Sequence, residues 1–117
     1  MAEVCNLELW RAHRPRTAWS DSLVQLAAAD EPQRMGGAPL RYPVSLRDAA
    51  VQGWVVLGLA ISPDGRVAEA AVMASSNKAF EPPALEAALG SRFSLPRAAG
   101  KPVWAFRCVP VEFNIVR

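Results

Sequence analysis

The tetrapeptide Ser62-Pro-Asp-Gly65 separates two apolar runs, Trp54 to Ile61 and Arg66 to Ala74. Proline presets φ at the start of a tight turn, and glycine supplies the positive φ at its end. Two strand-length runs flanking such a turn pair as an antiparallel hairpin. Every other element must be arranged around that hairpin.

Ser45-Leu-Arg-Asp-Ala-Ala-Val51 precedes it and opens on a capping serine, so it reads as a short helix ending near Gly53. After the hairpin, Asn77 to Gly90 reads as a helix with apolar positions at Phe80, Ala84, Leu85, Ala88 and Leu89. Its Pro82-Pro83 pair is tolerable only in the first turn. Pro102 to Val116 alternates with period two and forms the last strand. The expected architecture is α+β, in the order helix, strand, strand, helix, strand: a three-stranded antiparallel-hairpin sheet packed on two helices. A right-handed crossover places the last strand beside the first.

In front of this body, residues 36–117, lies an extension, residues 1–35, expected to pack on it and cover part of the sheet. Within the extension, Ser20 or Asp21 can cap a helix spanning about 20–29, with Leu23, Val24, Leu26 and Ala27 as its apolar positions. Val4 to Trp10 fits either a short strand or a first helical turn. Glu31 to Pro39 has the breaker composition of a linker or irregular loop.

The chain is 51% apolar and 21% charged with net charge +2, which suits one ordinary domain and not a disordered tail. No stretch approaches the ~18 apolar residues of a membrane span. The start, Met1-Ala-Glu-Val-Cys5, lacks the basic leader and apolar core of a signal peptide. On that ground alone the chain is either cytosolic or a piece whose address has been removed. The densest basic run, Arg11-Ala-His-Arg-Pro-Arg16, reads as a solvated loop, too short for a nucleic-acid footprint.

Catalytic chemistry is missing. His13 is the only histidine, and a Cys5–His13 dyad would sit in the least regular part of the chain. Cys5 and Cys108 lack zinc-ligand spacing, and the glycines form no phosphate-binding motif. The expectation is a protein that is not an enzyme and needs no cofactor or metal.

The residues do form an ordered motif set. It runs through Tyr42-Pro43, Gly53-Trp-Val-Val-Leu57, Pro63-Asp-Gly-Arg-Val67, Ser75-Ser76, Phe80 with Ala84-Leu85, Phe93-Ser-Leu-Pro96 and Gly100-Lys-Pro-Val103. It closes on the alternating Val109, Val111, Phe113 and Ile115. From Arg41 to about Val116 the chain thereby resembles the C-terminal domain of the TonB family of energy-transducing envelope proteins. The family often enters with Gln-Pro-x-Tyr-Pro, whereas this chain reads Pro39-Leu-Arg-Tyr-Pro43. The Pro-rich spacer and membrane anchor of a complete transducer are not in this sequence, so contact with a membrane would come only through an absent anchor.

The resemblance implies a periplasmic binding domain for an extended peptide, the TonB box, of an outer-membrane transporter. Such a peptide adds as a strand to the last strand, with side chains giving selectivity. Carried over, the binding strand is about Val103–Ile115, with Val103, Ala105, Arg107, Val109, Val111, Phe113 and Ile115 as contacts and Arg41, Tyr42 and Pro43 flanking. Tyr42-Pro43 fits equally well as a packing pair at a helix entrance. Pro110 limits the strand because it has no N–H. The alternative reading is a scaffold or assembly domain for another envelope protein, keeping the fold without transduction. Nucleic acid is not an expected partner.

Strand alternation assigns Val55, Leu57, Leu59, Ile61, Val67, Val72, Val109, Val111, Phe113 and Ile115 to the helix side. The other face collects Trp54, Val56, Gly58, Ala60, Trp104, Phe106 and Cys108, joined by Ala68 and by Ala71, Met73 or Ala74. A face with that much aromatic surface needs a cover. Two are available: the extension, with Leu7, Leu9, Trp10, Trp19, Leu23 and Leu26, or a second copy in a homodimer. With an oxidising compartment implied, a Cys5–Cys108 disulfide is expected to pin the extension to that face, against two unpaired thiols.

Overall fold

The computed structural model describes residues 2–14 and 16–115. The chain opens with helix α1, Leu7–Ala12, started by Asn6, whose side chain accepts from the Leu9 N–H at 2.8 Å. Of the two readings open for this stretch, the helical turn is the one formed. Strand β1 follows at Leu23–Gln25 and β2 at Arg34–Gly37. Helix α2, Val44–Asp48, leads into β3, Gly53–Ile61, and β4, Val67–Ser75. After a 3-10 turn at Lys78–Phe80, α3 spans Glu81–Leu89, with Pro82 and Pro83 in its first turn. Three short strands, β5 Ser91–Phe93, β6 Arg97–Ala98 and β7 Lys101–Pro102, precede β8, Trp104–Phe113. Val116, where the sequence pattern ends the last strand, lies outside the described residues.

The main sheet has the order β1-β8-β3-β4. β3 lies centrally and pairs antiparallel with both β4 and β8, so the last strand does sit beside the first strand of the hairpin. The register of β3 with β4 skips Met73 and Ala68. Each bulge turns the following residues over. Val67 and Val72 therefore share the helix side despite their odd spacing, while Met73 and Ala74 both join the opposite cluster.

Three expectations are corrected. Residues 20–29 do not form a helix: a 3-10 turn at Ser20–Ser22 gives way to β1, which pairs parallel with Trp104–Phe106. A helix of that length is marginal alone. The extended form instead gives the β8 edge a backbone partner and buries Leu23 to 2% exposure. The sheet is accordingly four-stranded, not three-stranded. Second, the breaker-rich stretch 31–39 holds β2, antiparallel to β5; a Cβ on Gly37 would stand 2.2 Å from the Gly90 carbonyl oxygen, so only glycine permits the approach. Third, α2 is not capped by Ser45. Pro43 occupies the cap, and the helix ends before Gly53, where Val51 N–H reaches Leu46 O at 2.8 Å around Ala50, held at φ 56°.

The sheet carries a core on each face. On the helix side Val55, Leu57, Leu59, Ile61, Phe80, Ala84, Ala88, Phe93 and Phe113 are buried together. Leu89, expected among them, is half exposed. On the other face Cys5, Trp10 and Leu23 from the extension pack on Val56, Ala60, Ala71 and Phe106. A disulfide joins Cys5 to Cys108 across Cα atoms 6.0 Å apart. Trp10 meets Phe106 edge to face at 5.4 Å between centroids, and a Cβ on Gly58 would come within 3.0 Å of both rings. Trp19 stacks on Trp104 at 4.9 Å. Trp54 stays outside this cover, 44% exposed.

Candidate functional site

Sheet edges expose unpaired backbone groups, and β8 has one that is only partly used. Facing away from β3, its first residues, Trp104–Phe106, pair with β1. Beyond that point the chain of the extension still follows the edge: Arg107 donates from Nη1 to the Pro32 carbonyl at 2.5 Å, and its Nε lies 3.8 Å from Glu31. Among the described residues, no strand pairs with the rest of this edge, up to Phe113.

Beside that free stretch a groove of about 370 Å³ opens between the sheet and α3. Val109 and Val111 form one wall, and Ala38, Pro39 and Leu40 with Arg34 form the other. The floor consists of Ala84, Ala87 and Ala88, with Leu57, Leu59 and Phe93 below. β2 can stand as the far wall because Gly37 lets it pair closely with β5. Arg34 is held there by Ser91 Oγ at 3.0 Å and the Ala38 carbonyl at 2.8 Å.

The residues that the resemblance placed at a binding strand fall into distinct positions. Val109 and Val111 line the groove, with Pro110 and Glu112 beside them. Ala105 is fully buried opposite Val24 of β1, and Phe113 belongs to the inner core. Arg107 is engaged with the extension, and Val103 precedes the strand, its N–H on Pro96 O at 3.1 Å. Ile115 lies past the strand, its N–H bound by Gln52 at 2.7 Å. Tyr42 is half-buried, edge-on to Phe80 and Phe113, with its hydroxyl donating to Val51 O, while Pro43 caps α2 and Arg41 is exposed. Sequence reasoning missed Arg34 and Ala87, and took Ala84 and Ala88 for core positions alone. Ala84, Ala87 and Ala88 share one helical face, the only signal that could have exposed the floor.

The outer-face residues Trp54, Val56 and Pro110 line a second, shallower hollow. The basic run near α1 is not a free cationic surface. Arg11 donates to Leu23 O at 3.1 Å, Arg14 pairs with Glu69 and lies 5.1 Å over Trp10, and Arg16 pairs with Asp21. A Cys5–His13 dyad is overturned by the disulfide, which consumes the thiol. Among the described residues no cluster of three metal-ligating side chains occurs, and no helix is long and apolar enough to cross a membrane.

No curated protein matches this chain. The solution NMR structure of the Pseudomonas aeruginosa TonB C-terminal domain is similar to it, at 23% identity and a TM-score of 0.56 over 81% of this chain and 96% of that one. At that identity the likeness establishes the fold. Residues 38–115, two-thirds of the sequence, match the family described as the Gram-negative bacterial TonB protein C-terminal. The chain therefore belongs to the TonB C-terminal domain family.

Proposed function

We propose that this chain is a periplasmic, non-enzymatic binding domain that takes up an extended peptide, the TonB box, of an outer-membrane transporter by strand addition. In this reading it serves transport driven by the proton-motive force. The supporting observation is the unpaired stretch of the β8 edge after Arg107, flanked by an apolar groove. Backbone pairing supplies affinity at such an edge, and alternate side chains supply selectivity. The contact set centres on Val109, Val111 and the edge between Arg107 and Phe113, while Tyr42 and Pro43 hold the entrance by packing.

A second reading has its own observation. β1 already occupies Trp104–Phe106, the beginning of the same edge, as a domain that keeps the fold for envelope scaffolding would tolerate. Titration with a transporter-derived TonB-box peptide, followed by amide chemical shifts, separates the two. Shifts concentrated along Arg107–Phe113 are expected for strand addition. Silence there at millimolar peptide would leave the scaffold reading.

A further inference from the structure

Two features of the β8 edge make backbone pairing weak. The free stretch is short, because Arg107 is tied to Pro32 and Glu31. Pro110 stands in its middle and has no N–H to donate. A strand added there forms few ladder bonds, so side-chain recognition must carry more of the affinity.

The groove supplies it. An added strand would lie ~4.8 Å from β8 and send alternate side chains to the helix side, next to Val109 and Val111. The space that those side chains enter is floored by Ala84, Ala87 and Ala88, whose methyl groups leave it open. At its wall, Arg34 spends two donors on Ser91 Oγ and Ala38 O and pairs with no carboxylate among the described residues, while Glu112, on the β8 side of the groove, accepts from Asn114 Nδ2 at 3.2 Å. A guanidinium has five N–H donors and keeps its charge at any ordinary pH. The line that such a strand would follow continues the one β1 already takes along β8, which ends with Gln25 opposite Phe106.

We infer that this groove is a specificity pocket for the partner peptide, taking one bulky apolar side chain on the alanine floor and an acidic residue against Arg34. The inference rests on the strand-addition reading and names the chemistry of its occupant: an extended apolar segment carrying a carboxylate.

The test uses the intact chain and labelled nine-residue peptides, followed by fluorescence anisotropy and amide shifts. The central inward residue is Ala or Leu, and one end, either the first or the last residue, is Glu or Lys. The Leu peptide is expected to bind about tenfold tighter than the Ala peptide, as burial of an isobutyl group implies. The Glu peptide is expected to bind about fivefold tighter than Lys at low salt, a preference that salt erodes. Ala87→Leu fills the floor from a half-buried helical position and is expected to abolish the Leu preference while the Ala peptide still shifts β8 amides. Arg34→Glu is expected to invert the Glu over Lys preference. Unchanged thermal melting shows that each variant is folded, and Arg34→Gln, expected to erase the charge preference, stands in if Arg34→Glu melts early. A β8 response with no side-chain or charge preference would overturn the pocket and spare strand addition. Absence of any β8 response would overturn both. Concentration-dependent dimerisation abolished by Ala87→Leu would assign the groove to a second copy and overturn the inference.

Discussion

The two faces of the sheet are covered by different means. On the helix side, α2 and α3 with the segments around them present Tyr42, Leu46, Phe80, Ala84 and Ala88 to alternating residues of β3 and β8, without a covalent link. On the other side the cover is a segment with six helical residues and three in a strand. It is fastened at separate points: the Cys5–Cys108 bond, β1 on β8, Trp10 over Gly58, and Arg14 on Glu69. The inner face is held by continuous packing, whereas the outer face is held by anchors. Packing of the first kind fails throughout when its centre is removed. Anchors of the second kind fail one by one.

The largest effect is expected at the centre of the packed face. Phe80 is fully buried, stacked on Phe113 at 4.3 Å between centroids and edge-on to Tyr42 at 5.8 Å. Phe80→Ala should cost about 3–5 kcal/mol, read as a fall in the urea midpoint at unchanged slope. If the cost were under ~1 kcal/mol, the inner cluster would not be the continuous core that its burial implies.

Loss of the disulfide should come next. In the chain-entropy picture, a link across a separation of 103 residues contributes up to about 4–5 kcal/mol, and about 2–4 kcal/mol is typical. For a Cys5→Ser, Cys108→Ser double variant, the sharper expectation concerns where protection is lost. Hydrogen exchange should rise across Leu23–Gln25 and Trp104–Phe106 while the amides between β3 and β4 remain slow. Equal loss on both faces would make them one cooperative unit, with no separately anchored cover.

The same distinction governs what was legible in the sequence. Period-two alternation assigned Val55, Leu57, Leu59, Ile61, Val109, Val111 and Phe113 to the helix side because each strand repeats its pattern for several residues. The excess of aromatic residues on the opposite face, Trp104 and Phe106 above all, told that a cover was needed, and Cys108 told where it could be pinned. What covered it was not readable in detail. Leu23-Val-Gln25 is extended only because an edge of β8, some eighty residues later in sequence, offers it a backbone partner. Local propensity, with Ser20 and Asp21 in front, favours a helix there. The candidate groove was hidden for a different reason. Alanine serves helix, core and surface alike, so Ala84, Ala87 and Ala88 become a floor only once β2 stands opposite them.

The smallest effect separates the two regions electrostatically. Asp21, in the extension, is held below the usual carboxylate range chiefly by the hydrogen bond from Arg16 at 2.5 Å. Asp64, in the β3–β4 turn, is held low chiefly by the Ser62 hydroxyl. A carboxylate whose folded pKa is depressed contributes stability above its unfolded pKa, near ~3.9, and loses it as pH falls through the folded value. Both residues are exposed, so the acid-side loss should be shallow. The causes, however, are separable. Arg16→Gln should raise Asp21 towards the ordinary range and leave Asp64 unmoved, and Ser62→Ala should raise Asp64 and leave Asp21 unmoved, as carboxyl carbon shifts against pH would read. High salt should weaken the Arg16–Asp21 depression more than the Ser62–Asp64 one, since the first rests chiefly on a charged partner, whereas Arg66, 3.5 Å from Asp64, adds less there than the neutral Ser62 hydroxyl. Equal salt sensitivity would mean that the turn, like the extension, is fastened by charge, and the contrast between a packed region and an anchored one would then not extend to its surface.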